Sequence, residues 1–387
     1  MVGKTVNVNR LNRTVQKEFT SKIARDKEVF VYRTMQETGL VPKLIEKGPW
    51  TLILDYISGE TLSRREVTVE DYVLLTNWLI DFQEAFYQKT RTYCCLEDMN
   101  FSNFIVHEGC LIGIDFEYWE KGSKERAFAL CLAQIKLMRC EENLKEEIDS
   151  YMYTQFCQAS IKKEDLDRHI KEEVQKLSRW RKIQPLMRQT TSALLIGGEG
   201  RRLGGVEKQN LVLDRYTFLE HLVYELAIFD EHLYSLREAK AWEVTDGRVV
   251  IDAIKNKGPA IGIHSLFGVC KTPYLFLWSC DMPLLDRTFI MTLFEQAYTS
   301  TLEKIHYHVF VPQIKGKMYP LSALYHVSSK RVFKEAIQQD QLRVQSILEE
   351  LVVKEIPFSK QEEALINVNR EEDLIAIRRV AKNKKLN

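Results

Sequence analysis

A short apolar run, Ser192-Ala193-Leu194-Leu195-Ile196, feeds without a break into Gly197-Gly198-Glu199-Gly200-Arg201-Arg202-Leu203-Gly204-Gly205, with Lys208 close behind. The run reads as a buried strand, and the glycines end it in a turn. Glycines let backbone N–H groups point inward and come close to phosphate oxygens. Arg202 and Lys208 add fixed positive charge beside that nest, which suits a triphosphate and a departing pyrophosphate. The alternative is a glycine turn whose Arg and Lys are merely solvated. Two common glycine motifs are absent. A P-loop needs Lys after its last glycine, where Gly204 is followed by Gly205; a dinucleotide motif needs a third glycine where Leu203 stands.

From Thr191 onward, strand-like runs (RVVID, YLFLWSC, HVFVP) alternate with helical ones (TFLEHLVYELAIF, RTFIMTLFEQAY, KRVFKEAIQQ). That alternation predicts a parallel sheet covered by helices. Within it, Trp278-Ser279-Cys280-Asp281-Met282-Pro283 delivers one aspartate at a strand's carboxyl end. Open α/β sheets bind ligands there, and a carboxylate at that place suits magnesium. An N-cap or turn aspartate would look the same. Asp252 ends another apolar run and precedes Gly258-Pro259, so it either contacts base, ribose or metal or is an ordinary loop residue.

The first half reads differently. Strand-like VNVNR, TVQKEFT and WTLILDYI surround one helical pattern, ARDKEVFVYRTMQETG, stopped near Gly39 and Pro42. Tyr72, Leu75, Leu79, Phe82 and Phe86 recur at helical spacing over 70–90. Two short strands, FIVH and LIGIDF, follow, and then charged helices to Arg181. At roughly 100–200 residues per domain, 387 residues allow two or three domains. We expect two, over 1–187 and 190–387.

Lys+Arg is 55 against Asp+Glu 54, which argues against a broad nucleic-acid surface. Nothing approaches the apolar length of a membrane span, and MVGKTVNVNRLNRT lacks the apolar core of a secretory signal. The eight cysteines form no C-x-x-C pair, so reduced thiols and a cytoplasmic setting are expected, with no membrane or nucleic-acid partner.

The glycine segment is similar to the L-x-G-G-x-x-x-R-[ML]-G-x-x-K signature of nucleotidyltransferases. C-D-M-P at 280–283, Gly258-Pro259-Ala260-Ile261-Gly262-Ile263, Tyr319-Pro320-Leu321-Ser322-Ala323-Leu324-Tyr325 and Ile366-Asn367-Val368-Asn369-Arg370-Glu371-Glu372-Asp373-Leu374 narrow the resemblance. Together they look like the molybdenum cofactor guanylyltransferase family, over 191–380. The resemblance implies a three-layer, Rossmann-like α/β domain with a mostly parallel sheet. It implies GTP contacts at Leu195, Ile196, Gly197, Gly198, Lys208, Asp252 and Asp281, magnesium on Asp281, and Arg202 and Lys208 on the leaving pyrophosphate. The implied substrates are GTP and molybdenum-molybdopterin, and the product would pass to molybdoenzymes or cofactor chaperones. The chain departs from the pattern at Ile196, where a small residue is usual, and at G-P-A-I-G in place of G-P-L-A-G. A polar residue usual before Asp252 has Ser235 as its nearest candidate. The rival within the class is another nucleotidyltransferase, cytidylyl- or sugar-nucleotide-forming, which would share most of this phosphate machinery.

In the first half, Asp98-Met99-Asn100-Phe101-Ser102-Asn103 followed by Gly113-Ile114-Asp115-Phe116-Glu117 resembles the protein-kinase-like fold, especially its aminoglycoside-phosphotransferase branch. That resemblance implies an α+β domain that binds ATP, with Lys17 on the phosphates, Glu28 as its ion-pair partner, Asp98 as base, and Asn103 and Asp115 as magnesium ligands. No glycine-rich loop precedes Lys17, Leu96 replaces the usual histidine, and Glu117 replaces the usual glycine. The rival reading of the whole chain is a small-molecule kinase with a nucleotide-sensing second half.

Overall fold

The structure is a computed structural model that describes residues 4–138, 141–159, 161–196, 205–237, 247–254, 257–303 and 305–386. It falls into two compact units, one over 4–181 and one from 182 onward. The division lies inside a single long helix. Among the described residues, no helix is long and apolar enough to cross a membrane, and the seven cysteines are free.

The first unit runs β1 (Lys4–Asn9), β2 (Thr14–Phe19), α1 (Lys22–Met35), β3 (Leu44–Lys47), β4 (Thr51–Asp55), β5 (Glu60–Thr61), α2 (Val69–Thr90), β6 (Tyr93–Leu96), β7 (Phe104–His107), β8 (Cys110–Gly113), β9 (Trp119–Gly122), α3 (Lys124–Lys136), α4 (Glu142–Gln158) and α5 (Lys163–Met187). The first four strands form an antiparallel sheet in the order β1-β2-β4-β3. Alternation along β2 turns Lys17 and Phe19 inward. Ser21 caps α1 by accepting the Ala24 N–H, and Gly39, at φ +74°, follows that helix. The predicted stripe of α2 is buried throughout and meets an aromatic core in which Phe82 stacks on Phe116, ring centroids 5.7 Å apart.

The second unit continues with β10 (Thr190–Ile196), β11 (Val212–Leu213), β12 (Tyr216–Thr217), α6 (Phe218–Leu226), β13 (His232–Leu236), β14 (Arg248–Ile251), α7 (Pro259–Val269), β15 (Tyr274–Ser279), α8 (Arg287–Thr301), β16 (Val309–Ile314), β17 (Lys317–Met318), β18 (Leu324–His326), α9 (Ser329–Gln338), α10 (Val344–Leu348), β19 (Val353–Pro357) and α11 (Glu371–Leu386). Its sheet order is β14-β13-β10-β15-β18-β16-β17, with β19 beside β16. Alternate residues of the central strands serve opposite faces. Ala193, Leu275 and Leu277 pack with α7, α9 and α10, whereas Phe276 and Trp278 meet Phe294 and Phe289 of α8.

The sheet is mixed: β14, β13, β10, β15, β16 and β19 run in one direction, and β17 and β18 run against them. β14, β13, β10 and β15 are mutually parallel, but β18 is antiparallel to both β15 and β16. The cause is local. Lys315 and Gly316, both at positive φ, turn β16 straight back into β17, so the chain reverses without a helical crossover.

Candidate functional site

The strands' shared direction builds the site of the second unit. Leu195 near the tip of β10 is in register with Ser235 on β13 and with Ser279 on β15. Three strand ends therefore stop at one level and define the sheet's carboxyl edge. Neighbouring strands lie about 4.8 Å apart, so this edge is roughly 10 Å wide from β13 to β15. Leu195 and Ile196 occupy it. Gly197, Gly198 and Arg202, the rest of the expected cradle, lie outside the described residues.

Asp281 sits two residues past β15. The Cys280 N–H donates to the Leu195 carbonyl at 3.1 Å, which fixes the turn against β10. The buried Trp278 Nε1 donates to the Met282 carbonyl at 2.8 Å and tightens it further. Ser279 Oγ donates to Asp281 Oδ1 at 2.6 Å, and Lys208 Nζ donates to Asp281 Oδ2 at 3.0 Å. The same ammonium donates to Asn369 Oδ1 at 2.6 Å. Asn369 is brought there because the Val368 N–H donates to the Asp281 carbonyl at 2.8 Å. Lys208 comes from a short turn seated on an apolar cluster of Leu211, Leu213, Phe218, Leu284 and Val368. Lys208, Asp281 and Leu195 are thus brought together.

Asp252 stands farther along the edge, beyond β14. Its N–H donates to the Leu236 carbonyl at 2.9 Å, and Ser235 Oγ donates to its Oδ1 at 2.7 Å. Burial raises the Asp252 carboxyl above the usual range, against the lowering effects of Ser235 and the Arg237 charge. Helix α7 comes in tightly here. A Cβ at Gly262 would lie 2.8 Å from Ser235 Oγ, 3.1 Å from Leu195 Cδ2 and 3.3 Å from Asp252 Oδ1. Only glycine admits that approach. Gly258, at φ +88°, starts the helix just before Pro259.

The sequence did not single out Asn369 or Ser279 as site residues. Asn369 falls in a segment noted for its resemblance, yet nothing in its neighbours announces contact with Lys208.

In the first unit, the Lys17 ammonium is buried and donates to Glu28 Oε1, to Tyr32 Oη at 3.1 Å and to the Ile114 carbonyl. Tyr32 donates to Glu28 Oε1 at 2.7 Å. Asn103 Nδ2 donates to the Asp98 backbone carbonyl at 3.2 Å, and Ile114 N–H donates to the Asn103 carbonyl at 2.9 Å, which draws the two loops together. Burial, then the charge of Asp115, raises the Asp98 carboxyl. Burial alone would raise Asp115, but Lys17 and Lys4 outweigh it and hold that carboxyl low. Burial pushes Glu117 up to about 7 despite Lys4 beside it. Lys4, the first residue of β1, was not foreseen. It donates to Asp115 Oδ2 at 2.7 Å and also pairs with Glu117.

Residues 192–355 match the family model described as MobA-like NTP transferase domain. That stretch lies within the second unit, whose class is that of a nucleotidyltransferase. Among the chain's curated relatives is a probable molybdenum cofactor guanylyltransferase of Clostridium perfringens, 25% identical over 171 residues, or 43% of this chain and 83% of the relative. A protein of the same description from Flavobacterium johnsoniae is 23% identical over 189 residues, 49% of this chain and 96% of the relative. Among solved structures, molybdopterin-guanine dinucleotide biosynthesis protein A from Archaeoglobus fulgidus overlaps 50% of this chain and 99% of its own, at 24% identity and a TM-score of 0.42. At that score the overlap decides nothing further.

Proposed function

We propose that the second unit transfers GMP from GTP to the terminal phosphate of molybdenum-molybdopterin and releases pyrophosphate. The observation that carries this reading is the meeting of Lys208, Asp281 and Asn369 at the carboxyl edge of the sheet, beside the strand that leads into the glycine segment. The names of the relatives supply the substrate.

Asp281 and Asn369 turn oxygens toward one cationic position, where the Lys208 ammonium sits. Hard oxygens around a cation position are the donor set magnesium takes, so the residues fit that ion. A magnesium ion held by Asp281 would screen the triphosphate and make pyrophosphate a better leaving group. The chain's own residues do the rest. Leu195, Ile196, Gly197 and Gly198 line the phosphates, Asp252 anchors the nucleoside end, and Ser235 and Ser279 fix the two carboxylates in place. Lys208 and Arg202 take up charge that develops on the leaving pyrophosphate. A terminal phosphate oxygen of molybdopterin attacks the α-phosphorus as the bond to the β-phosphate oxygen breaks. Positioning and electrostatics suffice, and no covalent enzyme intermediate is needed.

The test incubates the full chain with each nucleoside triphosphate in turn, magnesium and molybdenum-molybdopterin, and identifies products by mass. The expected result is the guanine dinucleotide and pyrophosphate. A cytosine dinucleotide would favour the cytidylyltransferase reading, and absence of pyrophosphate with every nucleotide would overturn the proposal.

A second reading concerns the first unit and rests on the buried Lys17–Glu28 pair beside Asp98, Asn103 and Asp115. That constellation suits ATP-dependent phosphoryl transfer in a kinase-like unit, with Asp98 as base and Asn103 and Asp115 toward magnesium. Release of ADP, distinct from pyrophosphate, would reveal it.

A further inference from the structure

Glu28, Asp115 and Glu117 each turn one carboxylate oxygen into a common position, all within 4.8 Å of one another. Oxygens facing each other across a hard divalent ion are about 4–5 Å apart, so the spacing has the right scale for such an ion. In this structure the Lys4 ammonium lies there. It bonds Asp115 and pairs with Glu117, yet it stops 3.9 Å from Glu28 Oε2. Glu28 is fully buried, and its Oε2 has no hydrogen-bond partner. Lys17 serves only the other oxygen, Oε1.

A divalent ion in place of Lys4 would reach the buried Glu28 oxygen that the ammonium does not hydrogen-bond. Lys4 opens β1. The rest of β1, Thr5–Asn9, is exposed and held by its pairing to β2.

We propose that Glu28, Asp115 and Glu117 form a divalent-cation site that Lys4 closes, and that the ion enters by displacing the Lys4 side chain. This assignment goes beyond guanylyl transfer and does not depend on it. It also differs from the Asn103–Asp115 pairing implied by the kinase resemblance, because it needs Glu28 and Glu117.

The test measures Mn2+ binding by electron paramagnetic resonance in the full chain carrying Asp281→Asn, which removes the strand-tip carboxylate of the second unit. On that background, Lys4→Met is expected to tighten Mn2+ at least tenfold, Lys4→Arg to leave it unchanged, and Glu117→Gln to weaken it at least tenfold. Runs with Mn2+ alone and with Mn2+ plus ATP separate a free ion from one carried on a nucleotide; the Lys4→Met effect in either run supports the site. Equal affinities for the parent and Lys4→Met, or no Mn2+ bound by either in both runs, would overturn it. Should Lys4→Met fail to fold, paramagnetic broadening of NMR signals by Mn2+ in the chain carrying Asp281→Asn alone decides. Signals of Lys4, Glu28, Asp115 and Glu117 should broaden first, and unbroadened signals there would refute the site.

Discussion

Gly262 offers the sharpest test of how the second unit's edge is built. Helix α7 contains a second glycine, Gly268, whose added Cβ would meet nothing within 4 Å. Both sit in the same helix, so the gain from replacing glycine with alanine, roughly 0.5–1 kcal/mol, is similar at each. What differs is the packing. At Gly262 the new methyl would lie 2.8 Å from Ser235 Oγ, so the hydroxyl must swing away from its 2.7 Å bond to Asp252. Overpacking of this kind costs about 1–3 kcal/mol. Gly268→Ala should therefore stabilise the unit slightly, and Gly262→Ala should fall about 1–3 kcal/mol below it. Hydrogen exchange of the β10 and β13 amides reads the stability of this unit. Adding Ser235→Ala removes the clashing atom, so the double variant should recover most of the loss while keeping a raised KM for the nucleotide. Equal stability of the two single glycine variants would refute the close approach, and with it the seating of Asp252.

The same geometry sets other outcomes. Asp281→Ala is expected to lower kcat by about 100-fold or more, with pyrophosphate release as the readout; undiminished turnover would remove this residue from the reaction. Lys17→Met leaves Glu28 buried without its main partner, so the first unit should lose about 3–5 kcal/mol in denaturant unfolding, whereas surface substitutions change little. Burial, then the neighbouring His306 and His308, holds His326 below its ordinary 6.5. Such a group contributes stability above that value and loses it as pH falls through the lower folded one. The second unit should therefore weaken as pH drops below 6.5, and His326→Asn should flatten that slope.

The sequence disclosed some parts of this molecule better than others. The stripe of α2 and the apolar runs of β10 and β15 were legible because burial on one face, or on both, leaves a period in the residues. The direction of β18 was not. Ala323-Leu324-Tyr325 reads as a short strand either way, and only the Lys315-Gly316 reversal sets it antiparallel. Ser235 was found as a weak match by position; its bond to Asp252 depends on the parallel pairing of β13 with β14. Asn369 and Lys4 left no trace in their neighbours, since each acts through a partner remote in sequence.

The hydrogen bond from Val368 to the Asp281 carbonyl carries a consequence for how the enzyme is made. Strand β15 leaves the ribosome long before Val368 and Asn369 do, and the turn that presents Lys208 rests on a cluster that includes Leu374 and Ile377 of α11. The proposed catalytic edge therefore stays incomplete until Val368, Asn369 and α11 have been made. A nascent chain, or one cut short before α11, would possess nearly all of the sheet and yet lack a working site, so sheet formation and competence can be separated in time.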